Sequence, residues 1–363
     1  MKLYHTLLYA SFWIILGLFA VYSYVLIDPN LSIGSLSIER IREQFLQFGY
    51  YQRETSSLIY VGFVCLAFAF HFYFVRHTKR YSILRLIIPL SLLGLFSYPF
   101  LSHDVFNYMF DAKIFTYYGQ NPYLHKALDF PGDPWLRFMR WTHRSYTYGP
   151  TFLPLTLLPS WLGAGKFFLT LFLFKAMFLI FYLSSTYSLE KMNKKWAVLF
   201  ATHPLVIFEG LVNAHNDLIA VSLAIAGVYL LQRRGVIGRI FLLLSAGIKY
   251  FTAPMLLLMK DKNSTWNKLA FLLFVALLVY LSFWQEIQAW YFLGLLIFLP
   301  FYKSFIQRLY LLFAGLLFSY YPYVRFGEWS ASSQIVLKHE IIGAFFALNL
   351  LYLSFSYFKK PSR

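Results

Sequence analysis

Apolar residues in this chain come in long, nearly unbroken runs, separated by short polar or basic breaks. A helix needs about 20 apolar residues to cross a bilayer, and runs near that length recur from one end of the sequence to the other. The first extends from about Leu3 to Ile27 and is too long for the core of a signal peptide. Others follow near 57–75, 86–101, 166–188, 196–212, 217–232, 266–284, 290–302, 306–324 and 341–358. Continuous runs, rather than ten-residue alternations, exclude a transmembrane β-barrel. The pattern predicts an all-α polytopic membrane protein with about 10–13 transmembrane or half-spanning helices. With no internal repeat or low-complexity linker, residues 1–363 read as a single integral membrane domain.

Composition supports this reading. Of 363 residues, 59% are hydrophobic and only 13% charged, outside the range of an ordinary soluble domain. The formal net charge of +17 would suggest a nucleic-acid partner in a soluble protein. Here the basic residues cluster between apolar runs, which is the signature of cytoplasmic loops facing anionic lipid, so the expected partner is the bilayer and no nucleic acid. The one cysteine, Cys65, lies inside an apolar run, so neither an intrachain disulfide nor a cysteine metal cluster can form.

The clusters also set the topology. Lys2, Arg76–Arg85, Lys191–Lys195, Arg233–Arg239, Lys260–Lys268, Lys303 with Arg308, and Lys359–Arg363 are assigned to the cytoplasm with both termini. Arg239 and Lys260 share a side only if the chain between them enters and returns. That stretch holds Gly247, Lys249 and Pro254, which predicts a broken hairpin with Lys249 near its tip. The outer face then receives Asp28–Ser56, Ser102–Pro150, Asn213–Asp217, Trp284–Trp290 and Arg325–Glu340.

Candidate chemistry concentrates in Ser102–Pro150. Residues 104–118 have helical character, closed by Gly119 and the Asn121-Pro122 turn. Asp104, Asn107, Tyr108 and Asp111 fall on one face, whereas Phe106, Met109, Phe110, Lys113, Ile114 and Tyr117 make up most of the other. The split predicts an amphipathic helix lying in the membrane interface with its carboxylates turned to the outer aqueous side. The two aspartates are roughly 10 Å apart along such a helix, too far to share a proton. A simple N-cap is the competing reading for Asp104, and a solvated or lysine-paired carboxylate for Asp111.

This loop resembles the first large extracytoplasmic loop of the GT-C superfamily, in particular bacterial multi-pass mannosyltransferases and the enzyme that adds the first mannose of GPI anchors. The matching residues are Asp104, Phe110-Asp111-Ala112, Gly119, Asn121-Pro122-Tyr123 and Tyr146-Thr147-Tyr148-Gly149-Pro150. Later segments in familial order are His203-Pro204 with Glu209, Asn213-Ala214-His215-Asn216-Asp217, the Lys249 segment and Gln288-Ala289-Trp290-Tyr291. Where eukaryotic relatives carry Asp-x-Asp, this chain has Ser102-His103-Asp104. The first acid is missing, so a role for Mg or Mn is doubtful and no cofactor is assigned.

The resemblance implies a GT-C-like bundle and an inverting transfer of a hexose, mannose first, from a polyprenyl-phosphate donor. The acceptor would be a hydroxyl of a glycan or glycolipid on the extracytoplasmic face of a plasma (inner) membrane. It implies Asp104 as the base, with Asp111 as a supporting acid. Such a reaction needs a carboxylate for the acceptor proton and cations for the departing phosphate. Lys249, Lys175, Arg144 and Arg140 are candidates for the phosphate. Lys175 stands out because it falls mid-span, although pairing with a buried acid such as Glu209 would also account for it. His103, Tyr148, His215, Asn216, Asp217, Trp290 and Tyr291 are candidates for sugar or acceptor contacts. No zinc-ligand spacing, phosphate-cradling loop or dinucleotide fingerprint is present. The alternatives are another polyprenyl-linked sugar (glucose, arabinose or an aminosugar) and a lipid or solute transporter. The transporter reading lacks a second broken helix to match the Lys249 hairpin.

Overall fold

The computed structural model describes residues 2–29 and 36–358. The terminal cluster Lys359–Arg363 and the side chain of Lys2 lie outside the described residues. The regular elements of the described chain are all helices, and an isolated antiparallel bridge joins Lys126 to Ser145. Among the described residues, six helices are long and apolar enough to cross a membrane: Leu3–Leu26, Arg53–Arg76, Phe167–Met192, Thr265–Trp284, Ala289–Ile306 and Ser332–Ser356. A bent pair, Lys194–Ala201 with Val206–Val212, makes a seventh. Of the shorter apolar helices, Asp217–Leu231 is buried almost throughout, whereas Ile83–Phe96, Phe152–Gly163 and Gly235–Ile248 each keep an exposed face.

Local sequence accounts for the breaks. The bent pair turns by 68° across His203-Pro204, where proline supplies no backbone N–H to continue the ladder. Its second half is a π-helix whose last carbonyls are left over. Lys175 fills that need, donating to Leu211 O at 2.5 Å, Val212 O at 2.7 Å and Ser97 Oγ at 3.1 Å. All three ammonium protons are thereby committed within the protein, and Glu209 is not its partner. The run expected at 306–324 is split into Tyr310–Phe318 and Tyr321–Phe326, with Pro322 in the first turn of the second helix. The last helix begins at Ser332, so much of the expected outer segment Arg325–Glu340 is helical.

The chain reverses at Lys249, between helix Gly235–Ile248 and the 3₁₀ segment Tyr250–Leu257. Arg239 ties the two legs, donating from Nη1 to Leu256 O at 2.6 Å. Further contacts gather the basic clusters. Gln232 Nε2 reaches Met192 Sδ at 3.9 Å, and Lys262 Nζ stands 4.9 Å from the Trp196 ring centroid.

The acidic helix, Asp104–Thr116, departs from the expected interfacial geometry. Every residue from Val105 to Ile114 is buried. The loop that follows folds back over the apolar face, bringing Phe138 against Phe106 at 6.1 Å and Phe130 against Phe110 at 6.4 Å, while Phe167, at the start of helix Phe167–Met192, meets Phe106 at 5.8 Å. Lys113, expected on that apolar face, pairs with Asp133 at 2.5 Å and sits 4.0 Å over Trp135. Helix Asp104–Thr116 is therefore an internal element. Its polar face borders a cleft within the protein instead of open water.

Candidate active site

Two connected cavities meet at Asp104. The first, about 390 Å³, is walled by His103, Arg140, Tyr323, Trp329 and Lys338 among others, and its lining is largely apolar. The second, about 300 Å³, is more polar and includes Asn107, Asp111, Arg144, Tyr148, Lys249 and Tyr291. Five residues line both: Asp104, Trp141, Glu286, Gln288 and Trp290. Asp104 thus stands on the wall between two chambers.

Its surroundings define its state. His103, not Asp104, is the N-cap of the acidic helix, and no side-chain capping bond is made there. The Asp104 carboxylate turns instead to His215, with Nδ1 at 3.4 Å from Oδ2. The other ring nitrogen of His215 faces Glu209 Oε2 at 3.3 Å. Glu209 in turn accepts from Tyr320 Oη at 3.2 Å and Asn213 Nδ2 at 3.4 Å. Trp290 covers the imidazole, with ring centroids 4.0 Å apart and planes at 20°. Burial alone would raise the Asp104 carboxyl. Hydrogen bonding and charge from His215, then Lys249 and His103, outweigh it and hold the group below the usual carboxylate range. Asp104 is therefore ionised at neutral pH.

Asp111 has the opposite character. Burial pushes it up to about 8, so it is mainly protonated at neutral pH. Separation along the helix gives two acids with different protonation states, one a proton acceptor and the other a donor.

Lys249 is held by Asp217, Nζ to Oδ2 at 3.1 Å, and faces Tyr291 with 5.9 Å to the ring centroid. The approach of Lys249 to Tyr148 is fixed by backbone. Gly149 N donates to Ile248 O at 3.3 Å and Thr151 N to Gly247 O at 3.0 Å. A Cβ on Gly149 would lie 2.1 Å from Gly247 O, so only glycine permits this contact. Arg144 stacks on Trp141 at 4.2 Å.

Most expected site residues thus converge. Asp104, Asp111, Lys249, Arg144, Tyr148, Trp290 and Tyr291 share the second chamber, and His103 and Arg140 line the first. Others lie outside both chambers. His215, Asn216 and Asp217 are fully buried and line neither chamber. They lie behind the cleft: His215 faces Asp104, Asp217 pairs with Lys249, and Asn216 N donates to Tyr108 Oη at 3.4 Å. Lys175 is spent on the π-helix carbonyls. Sequence reasoning missed Glu286, Lys338 and Trp141, which reach the cleft from other segments. Glu286 carried a faint signal as the acid of an expected outer turn, Trp284–Trp290.

Among the described residues, no group of three His, Cys, Asp or Glu side chains could hold a metal ion. The chemistry available is that of an ionised carboxylate, a protonated one, and cations on either side.

This is a polytopic all-α membrane protein with a carboxylate-centred cleft between two chambers. Residues 16–260 match the family described as alpha-(1->6)-mannopyranosyltransferase, N-terminal domain, and the chain belongs to that family. It is a mannosyltransferase, and hence a glycosyltransferase acting on a sugar donor and a glycan acceptor. No curated protein and no solved structure matches the chain.

Proposed function

We propose that the protein transfers mannose from a polyprenyl-phosphate donor to a hydroxyl of a lipid-linked or glycan acceptor, with inversion, on the extracytoplasmic face of a plasma membrane. The observation that carries this reading is Asp104, ionised and on the wall common to two chambers. An inverting transfer needs a base between acceptor and donor, and that wall offers the position.

In the reaction, the acceptor hydroxyl oxygen attacks C1 of mannose and forms the new C1–O bond. The bond from C1 to the phosphate oxygen breaks, and its electron pair leaves with the polyprenyl phosphate. The hydroxyl proton passes to the Asp104 carboxylate. Lys249 and Arg144, on the second chamber, neutralise the departing phosphate. Arg140, on the other side of Asp104, then belongs to the acceptor side. Asp111, protonated, donates a hydrogen bond within the donor chamber. His215 and Glu209 keep Asp104 in place, and Asp217 does the same for Lys249.

The test is donor dependence in liposomes. Wild-type protein is expected to turn over polyprenyl-phosphate β-mannose and to ignore a nucleotide-linked mannose. Lys249→Ala should raise KM for the lipid donor at least tenfold. Transfer from the nucleotide sugar alone would refute the proposal.

A further inference from the structure

During transfer C1 is bonded in turn to a donor oxygen on one side and an acceptor oxygen on the other. The moving ring must therefore touch the wall that the two chambers share. That wall comprises Asp104, Trp141, Glu286, Gln288 and Trp290. With Asp104 taken as the base, the rest are two indoles, an amide and a carboxylate. Such groups suit a hexose: aromatic faces cover its C–H surface, and an ionised carboxylate accepts strongly from its hydroxyls.

Glu286 is built for that second task. Its Oε1 is fixed by Lys338 Nζ at 3.0 Å and His339 Nε2 at 2.8 Å. Lys338 also donates to Gln288 Oε1 at 3.4 Å and lies 5.5 Å from the Trp329 ring centroid, so one buried ammonium sets both polar groups. Among the described residues Oε2 of Glu286 has no partner, while the side chain remains 40% exposed toward the cleft. Burial would raise the Glu286 carboxyl, but Lys338 and His339 outweigh it and hold it below its usual range. A fixed, ionised carboxylate with one free oxygen at a transfer point is a hydroxyl reader.

We infer that Glu286 recognises a hydroxyl of the transferred hexose through Oε2, with Lys338 and His339 as positioning residues. This rests on the donor reading above and adds the residue that selects the sugar. It also places sugar selection in residues 285–339, whereas the base and the phosphate cations come from the segment that matches the family, 16–260.

The experiment supplies wild type, Glu286→Gln and Glu286→Ala with polyprenyl-phosphate mannose and its 2-, 3-, 4- and 6-deoxy analogues in liposomes. For wild type, removing the recognised hydroxyl is expected to lower kcat/KM roughly 10–100-fold, the range for a hydrogen bond to a charged group. In Glu286→Ala that particular penalty should largely vanish, because hydroxyl and carboxylate are coupled. Glu286→Gln keeps an amide oxygen for Lys338 and His339, guards against misfolding of the alanine variant, and should fall between. Lys338→Met should reduce the same penalty without abolishing transfer. Equal deoxy penalties in wild type and both Glu286 variants overturn the assignment and leave the donor reading intact. A wild type inert toward every one of these lipids overturns the donor reading and this inference with it.

Discussion

Asp104 and Asp111 share a helix face and yet are held in different protonation states, and the difference comes from their neighbours. Asp104 has His215 and Lys249 close by, whereas Asp111 has burial and no compensating cation. The consequence is measurable. The unfolded value for an aspartate is about 3.9, and the folded value for Asp111 is raised to about 8. Its contribution to stability is fully present below about pH 4 and is lost as pH climbs through 8, because ionisation becomes easier in the unfolded chain. Thermal melts from pH 5 to pH 9 should fall more steeply for wild type than for Asp111→Asn. Parallel profiles would show that Asp111 has water or a cation that holds it ionised. Residues also mark where sequence reading stops. Lys175 looked functional because a mid-span cation is costly. That cost is met by carbonyls exposed in a π-helix 36 residues away, and no spacing rule reveals such an end. Glu286 and Lys338 were passed over for the same reason, since their pairing joins the loop after helix Thr265–Trp284 to helix Ser332–Phe358, distant in sequence.

At the scale of elements, the acidic helix was legible and its setting was not. Its residues and register follow from the spacing of Asp104, Asn107 and Asp111. Its depth depends on the loop that folds over Phe106 and Phe110, and an amphipathic pattern fits a buried cleft as well as a membrane surface. The Lys249 hairpin was more legible, because two basic clusters bracket a span too short to cross and return without breaking. What joins hairpin to loop is the glycine contact at Gly149 and Gly247. Gly149→Ala would place a methyl 2.1 Å from a backbone oxygen and force the two segments apart, displacing Tyr148 from Lys249. A displacement near 1 Å costs about 10²-fold in rate. Gly132→Ala, where a methyl meets nothing within 4 Å, serves as the control. Gly149→Ala is expected to lose transfer by about that factor while Gly132→Ala does not, and equal activity would mean that the contact is not needed for the site.

For the molecule as a whole, fold class and the number of apolar helices follow from composition and run length, because lipid constrains both strongly. Orientation follows from charge alone and is proposed on that basis. The contacts of Gln232 with Met192, Lys262 with Trp196 and Arg239 with Leu256 bring several basic clusters to one end of the bundle. Replacing Cys65 and then introducing cysteines at 80 and 262 tests the assignment. Both should react with impermeant reagents only from the cytoplasmic side. Labelling from opposite sides would break the hairpin and invert the side assigned to every later segment, Glu286 among them.

The account turns on Asp104 as the base, and single-turnover transfer by Asp104→Asn measures that most directly. Asparagine keeps the size of the side chain and removes its capacity to take a proton. With polyprenyl-phosphate mannose bound, the variant is expected to transfer about 10²–10⁴-fold more slowly than wild type. Its melting temperature should stay close to the wild-type value. A stable Asp104→Asn protein that transfers mannose at the wild-type rate would contradict the account.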